Sequence, residues 1–101
     1  MNNIRFLREA SQELDEAVEW YNYQSPGLGM RFLDEADKAL KRISFYPYSC
    51  AEIEDGIRRC LVSRFPYGLI YGIDEGMIVI IAVAHLHRRP RYWSGRIVYR
   101  H

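Results

Sequence analysis

Arginine, histidine and two large aromatic residues crowd the second half of this 101-residue chain. Arg58 and Arg59 come first, then Arg64. A nine-residue stretch runs to His85, and Arg88, Arg89, Arg91, Tyr92 and Trp93 follow directly. Guanidinium groups grip phosphate or carboxylate through paired N–H donors, and they stabilise the negative charge that develops in phosphodiester cleavage. Tyrosine and tryptophan faces stack on bases or on a partner's side chains. Each arginine alone also reads as a solvated charge on a sheet edge, where it discourages aggregation. As a cluster the arginines favour a binding role, and Tyr92 and Trp93 either stack on a base or plug the end of a core.

Histidine titrates near neutrality, which makes His85 a candidate general base; a hydrogen-bonded structural histidine at a strand end is the other reading. His85 and His87 are two apart and share one side of a strand. No acidic or cysteine ligand follows them, so no metal site is expected. Cys50 and Cys60 fit neither a disulfide framework nor a zinc spacing and read as small packing residues in a reducing compartment. The chain has no glycine-rich phosphate loop and no nucleophile elbow, and no cofactor is expected. Glu9/Glu13 and Asp15/Glu19 are spaced i, i+4 and read as a solvated helix face.

The elements that must position these groups follow from apolar spacing. Residues 3–7 are a short strand candidate. From about Glu9, the residues Ala10, Leu14, Ala17, Val18 and Tyr21 recur on one helical face, with Trp20, Tyr21 and Tyr23 as packing aromatics, until Ser25-Pro26-Gly27 breaks the pattern. Phe32, Ala36, Ala39, Leu40 and Ile43 repeat that spacing in a second helix, which Pro47 ends. Residues 57–63, 67–73 and 77–85 read as strands, the last apolar on both faces and therefore central. Asp74-Glu75-Gly76 reads as a tight hairpin turn. Residues 91–101 form a tail, either a short helix or an edge strand over 96–100. The expectation is one domain over residues 1–101 of α+β class: β-α-α-β-β-β, with a helical hairpin packed on a small, mostly antiparallel sheet. One core should hold Leu14, Val18, Phe32, Ala36, Leu40, Ile43, Ile70 and several of residues 78–83.

Hydrophobic residues make up 49% of the chain and charged residues 27%, which excludes a disordered chain. No apolar run is long enough to span a bilayer, and Met1-Asn2-Asn3-Ile4-Arg5 has no apolar leader, so a cytoplasmic location and no membrane partner are expected. The net charge of +1 conceals an asymmetry. Residues 1–55 hold 6 basic and 11 acidic side chains, residues 56–101 hold 8 and 2, and no acid occurs after Glu75. The basic half either offers a surface to an acidic partner or neutralises the acidic half across the fold.

Several segments, in order, resemble the ParE/RelE family of bacterial toxins: Glu13-Leu14-Asp15-Glu16-Ala17-Val18-Glu19-Trp20-Tyr21, Gly27-Leu28-Gly29-Met30-Arg31-Phe32-Leu33, Pro47, Arg58-Arg59, Arg64-Phe65-Pro66-Tyr67, Ile70-Tyr71, and Ala84-His85 through Tyr92-Trp93. The resemblance implies a plasmid-stabilisation toxin of a type II toxin–antitoxin system. Such a toxin is held inactive by a cognate antitoxin, through which it associates indirectly with operator DNA. RelE-like members cleave mRNA in the ribosome, whereas ParE-like members poison DNA gyrase. The cationic positions of the RelE-like branch fall on Leu61, Gly68 and the neighbourhood of Leu86; Arg59 and Tyr92 keep a counterpart. Arg64, His85 and Arg88 complete the residues available to a ribonuclease. The ParE-like branch is the expected one, an inhibitor rather than an enzyme, with Arg58, Arg64, Arg88, Arg89, Arg91, Tyr92 and Trp93 as the residues that bind target or antitoxin; RelE-like mRNA cleavage and a non-toxic binding module on the same fold are the alternatives.

Overall fold

The computed structural model describes residues 2–97. Strand β1 (Ile4–Phe6) leads into helices α1 (Arg8–Gln24) and α2 (Leu28–Phe45), and strands β2 (Ala51–Glu54), β3 (Ile57–Leu61), β4 (Tyr67–Asp74) and β5 (Met77–His85) follow. The five strands form one sheet in the order β1-β5-β4-β3-β2. Among the described residues, only the β1–β5 pair is parallel. This is the expected β-α-α-β-β-β arrangement with one further strand. β2 is an exposed edge strand, so it has no buried alternation to betray it.

The helical hairpin depends on a close approach. Gly27, at φ 86°, opens α2 in the left-handed region that favours glycine. The Gly29 amide donates to Asn22 Oδ1 at 2.8 Å, and a Cβ on Gly29 would lie 2.3 Å from the Val18 carbonyl oxygen. That contact draws α2 back to Leu28, ahead of the apolar spacing that starts at Phe32. The β4–β5 hairpin turns through Glu75 and Gly76, both at positive φ (50° and 79°), as a two-residue turn matched to strand twist requires.

The main core lies between helices and sheet, with Ala10, Ala17, Tyr21, Phe32, Ala39, Ile43, Leu69, Tyr71, Ile78, Ile80 and Val83 buried in it. Leu14, Val18 and Leu40 are half-buried against it. Ile70 belongs elsewhere: it points to the other face of β4 and joins Ile57, Ile81, Ala82, Ala84 and Trp93 in a second, outer cluster. There are thus two apolar clusters where one was expected. Of the three α1 aromatics, only Tyr21 packs inside. Trp20 is 55% exposed and Tyr23 89% exposed, because both lie off the face that carries Ala10, Ala17 and Tyr21.

β5 carries a bulge that serves both clusters. Ile70 faces Ala82 while Tyr71 faces Ile80, so Ile81 is an extra residue. β1 flanks β5 only as far as Phe6↔Ile80, and the Leu7 N–H donates to the Ile80 carbonyl at 3.0 Å. Past that point no strand among the described residues covers this edge of β5. The tail makes a 3-10 turn at Ser94–Arg96; the alternative edge strand over 96–100 falls largely outside the described residues. No helix of the described residues is long and apolar enough to cross a membrane.

Candidate functional site

An uncovered stretch of central strand leaves backbone groups that must find partners. Two side chains supply them. The Val83 N–H donates to Glu13 Oε1 at 3.1 Å, and Arg96 Nη1 donates to the Ile81 carbonyl at 3.0 Å. Arg96 also forks onto Glu13, reaching Oε1 at 2.8 Å and Oε2 at 3.0 Å. The Tyr92 hydroxyl donates to Glu13 Oε2 at 2.8 Å, and Arg88 Nη1 stands 3.4 Å from the same oxygen. The Arg88 guanidinium carbon lies 3.9 Å from the centre of the Tyr92 ring. Glu13 therefore does not lie on a solvated face: its side chain is 12% exposed and that of Arg96 16%.

Burial alone would push the Glu13 carboxyl up. The hydrogen bonds from Arg96, Tyr92 and the Val83 amide, with the Arg96 charge, outweigh burial and hold it below its ordinary value. Burial pushes the Tyr92 hydroxyl far up, and the bond to Glu13 adds to it. Tyr92 is thus a fixed donor, its ring covered by Arg88. Trp93 is buried and plugs the outer cluster. The pair thus plugs a cluster through Trp93 and is anchored to α1 through the Tyr92 hydroxyl.

The tail continues as one wall of a groove of ≈ 520 Å³ on the sheet face away from the helices. Its floor is Ile70 and Ala84, and Ile53, Arg59, Leu86 and Arg89 stand around it. Gly68 makes room for the Arg59 stem, since a Cβ there would lie 2.9 Å from Arg59 Cγ. Arg91, at φ 58°, clips the tail to β2 through Glu54 at 2.7 and 3.3 Å. That pairing holds the exposed Glu54 carboxyl below its ordinary value.

Seven expected site residues meet around this groove: Arg59, His85, Arg88, Arg89, Arg91, Tyr92 and Trp93. Arg58 does not join them. Strand alternation turns it to the helix side, where Nη1 donates to the carbonyls of Tyr48 (3.1 Å) and Cys50 (2.8 Å). Arg64 is also elsewhere, at φ 71° in the β3–β4 connection beside Glu35 and Lys38 of α2. His85 accepts the His87 N–H on Nδ1 at 3.1 Å and packs edge-on against Tyr67. Leu61 and Leu86 are exposed apolar groups. Cys50 and Cys60 are free and buried. Burial, then the neighbouring Cys50, push the Cys60 thiol up to about 12, in keeping with packing.

Sequence reasoning passed over Glu54 and Arg96 and read Glu13, from its i, i+4 spacing with Glu9, as solvated. No short-range spacing reveals its role, because the partners of Glu13 lie 70 to 83 residues away along the chain.

Comparison with known proteins bears on the family and the fold. Residues 4–92 match the family described as ParE toxin of type II toxin-antitoxin system, parDE. No curated protein matches the chain. Among solved structures, one titled "Chromosomal ParDE TA system from P. aeruginosa" is similar, with a TM-score of 0.75 at 16% identity, covering 86% of this chain and 98% of that one. At that identity the likeness establishes the fold.

Proposed function

Because this chain belongs to the ParE toxin family of type II toxin–antitoxin systems, we propose that it arrests growth by poisoning DNA gyrase in the cytoplasm. In this reading it is a one-domain inhibitor that needs no cofactor. A cognate antitoxin neutralises it and links it indirectly to operator DNA.

The observation that carries this reading is the Glu13 cluster. The tyrosine and one of the cations available to a ribonuclease at the end of the sheet, Tyr92 and Arg88, are bound to one carboxylate. By the resemblance, the cationic positions of the RelE-like branch fall on Leu61, Gly68 and the neighbourhood of Leu86. Each missing charge-stabilising group is commonly worth about a hundredfold in rate. The residues best placed to meet a macromolecular surface are Arg59 and Arg89, which form no ion pair among the described residues and border an apolar floor. The antitoxin is an acidic amphipathic segment that reaches this basic face, so part of its affinity is screened by salt.

The test compares the purified protein in a gyrase supercoiling-and-cleavage assay and in a translating-ribosome mRNA cleavage assay. Inhibited supercoiling with intact mRNA is expected. Codon-phased cuts that vanish in Arg64→Ala or His85→Ala, with gyrase untouched, would replace this reading with ribosome-dependent mRNA cleavage.

A further inference from the structure

The Glu13 carboxylate does more than close a sheet edge. Three of the groups it holds, Arg88, Tyr92 and Arg96, are spaced along the tail, and the tail is one wall of the outer groove. Glu13 itself is on α1, on the opposite side of the sheet. It reaches the tail only because β1 ends at Phe6 and leaves this stretch of β5 uncovered. Trp93 seats the middle of the wall in the outer cluster, and the Arg91–Glu54 pair is a surface clip that contributes little by itself. Apart from the Arg96 bond to the Ile81 carbonyl, the partly buried side-chain bonds that fix the tail on both sides of Trp93 converge on one residue.

We propose that Glu13 is a positioning residue: it holds residues 88–96 in the conformation that presents Arg89 and the groove wall to the toxin's target, without touching that target. The proposal rests on the toxin reading above but not on the identity of the target. Glu13→Gln turns one accepting oxygen into an NH2 donor and takes the charge from the other, so the donors of Arg96, Tyr92 and Val83 keep one neutral acceptor between them, and charge-assisted bonds are roughly twice as strong as neutral ones. The wall then opens locally while the rest of the sheet stays closed.

The experiment measures amide hydrogen exchange across the full chain in the wild type, Glu13→Gln and Tyr92→Phe, together with growth arrest on induction. Glu16→Gln, one turn along α1 and without a partner in the cluster, is the control. In Glu13→Gln, amides of residues 86–97, and the Val83 amide that Glu13 itself accepts, should be accelerated about tenfold or more beyond the other amides of β3, β4 and β5, and growth arrest should be lost. Tyr92→Phe, which removes one bond and keeps the ring, should show a smaller change in the same segment and weakened arrest, and it decides the matter if Glu13→Gln does not fold. Wild-type exchange over residues 86–97 in both variants would overturn the proposal. So would loss of arrest without faster exchange there, since Glu13 would then meet the target directly. An effect spread evenly over the sheet would reduce Glu13 to a general stabiliser and also overturn it. A wild type that arrests growth without affecting gyrase would sink the gyrase reading alone and leave the exchange comparison standing.

Discussion

Arg96, in the tail, and Arg59, on the outer sheet face, carry the same guanidinium group in contrasting settings. Arg96 directs its donors to a carboxylate and a backbone carbonyl and is largely shielded from water. Arg59 lays its stem over Gly68 and leaves its head beside an apolar groove, with no ion pair among the described residues. Arg58 and Arg88 side with Arg96 in having protein acceptors, and Arg89 sides with Arg59. Density of positive charge in a sequence does not separate framework from binding surface. What separates them is whether the donors are already engaged.

The largest expected effect lies on the framework side. Glu13→Ala removes the acceptor for Arg96, Tyr92 and the Val83 amide at once. Stranding a shielded charge and a backbone donor should cost about 3 kcal/mol of unfolding free energy. Urea denaturation checks this, and a cost below about 0.5 kcal/mol, the range of ordinary surface changes, would place Glu13 with the solvated acids after all.

Acid should erase the same contribution. The Glu13 carboxyl is held below its ordinary 4.5, so its stabilisation is complete above that value and lost as the pH falls through the lowered folded one. The gap in melting temperature between the wild type and Glu13→Gln should therefore be full near neutrality and close in acid. A gap that persists unchanged well below pH 4.5 would mean that the charge of Glu13 is not what Arg96 responds to.

A smaller effect is expected where the two regions meet the glycine. In Gly68→Ala the new Cβ would press on the Arg59 stem, a flexible neighbour that can swing aside, so stability should shift by only about 1 kcal/mol or less. The displaced guanidinium should nevertheless weaken target binding. Unaltered growth arrest in this variant would show that the placement of Arg59 over Gly68 has no bearing on function.

Much of the fold was legible because local pattern and tertiary structure agree. The run from Met77 to His85 is a strand over its whole length, and Glu75-Gly76 turns as its residue types suggest. β2 escaped notice because Ala51-Glu52-Ile53-Glu54 is an exposed edge. The bulge at Ile81 was hidden by its own setting: a strand buried on both faces shows no alternation for an extra residue to break. The site was legible only in part. Arg59, His85, Arg88, Arg89, Arg91, Tyr92 and Trp93 do gather, as their clustering in the chain suggested, yet which of them are engaged depends on Glu13 and Glu54, far away in sequence. Arg58 and Arg64 stand apart because one residue of strand alternation, and one left-handed turn residue, carry them to the helix side.

The division between engaged and available arginines is tested most directly by the double substitution Arg59→Ala/Arg89→Ala, read for growth arrest and for thermal unfolding in parallel. Neither side chain contributes an ion pair among the described residues, so the unfolding free energy should stay within about 0.5 kcal/mol of the wild type. Growth arrest should be lost. Full arrest by a protein that melts like the wild type would contradict the account, because the groove's available cations would then have no part in what the toxin does.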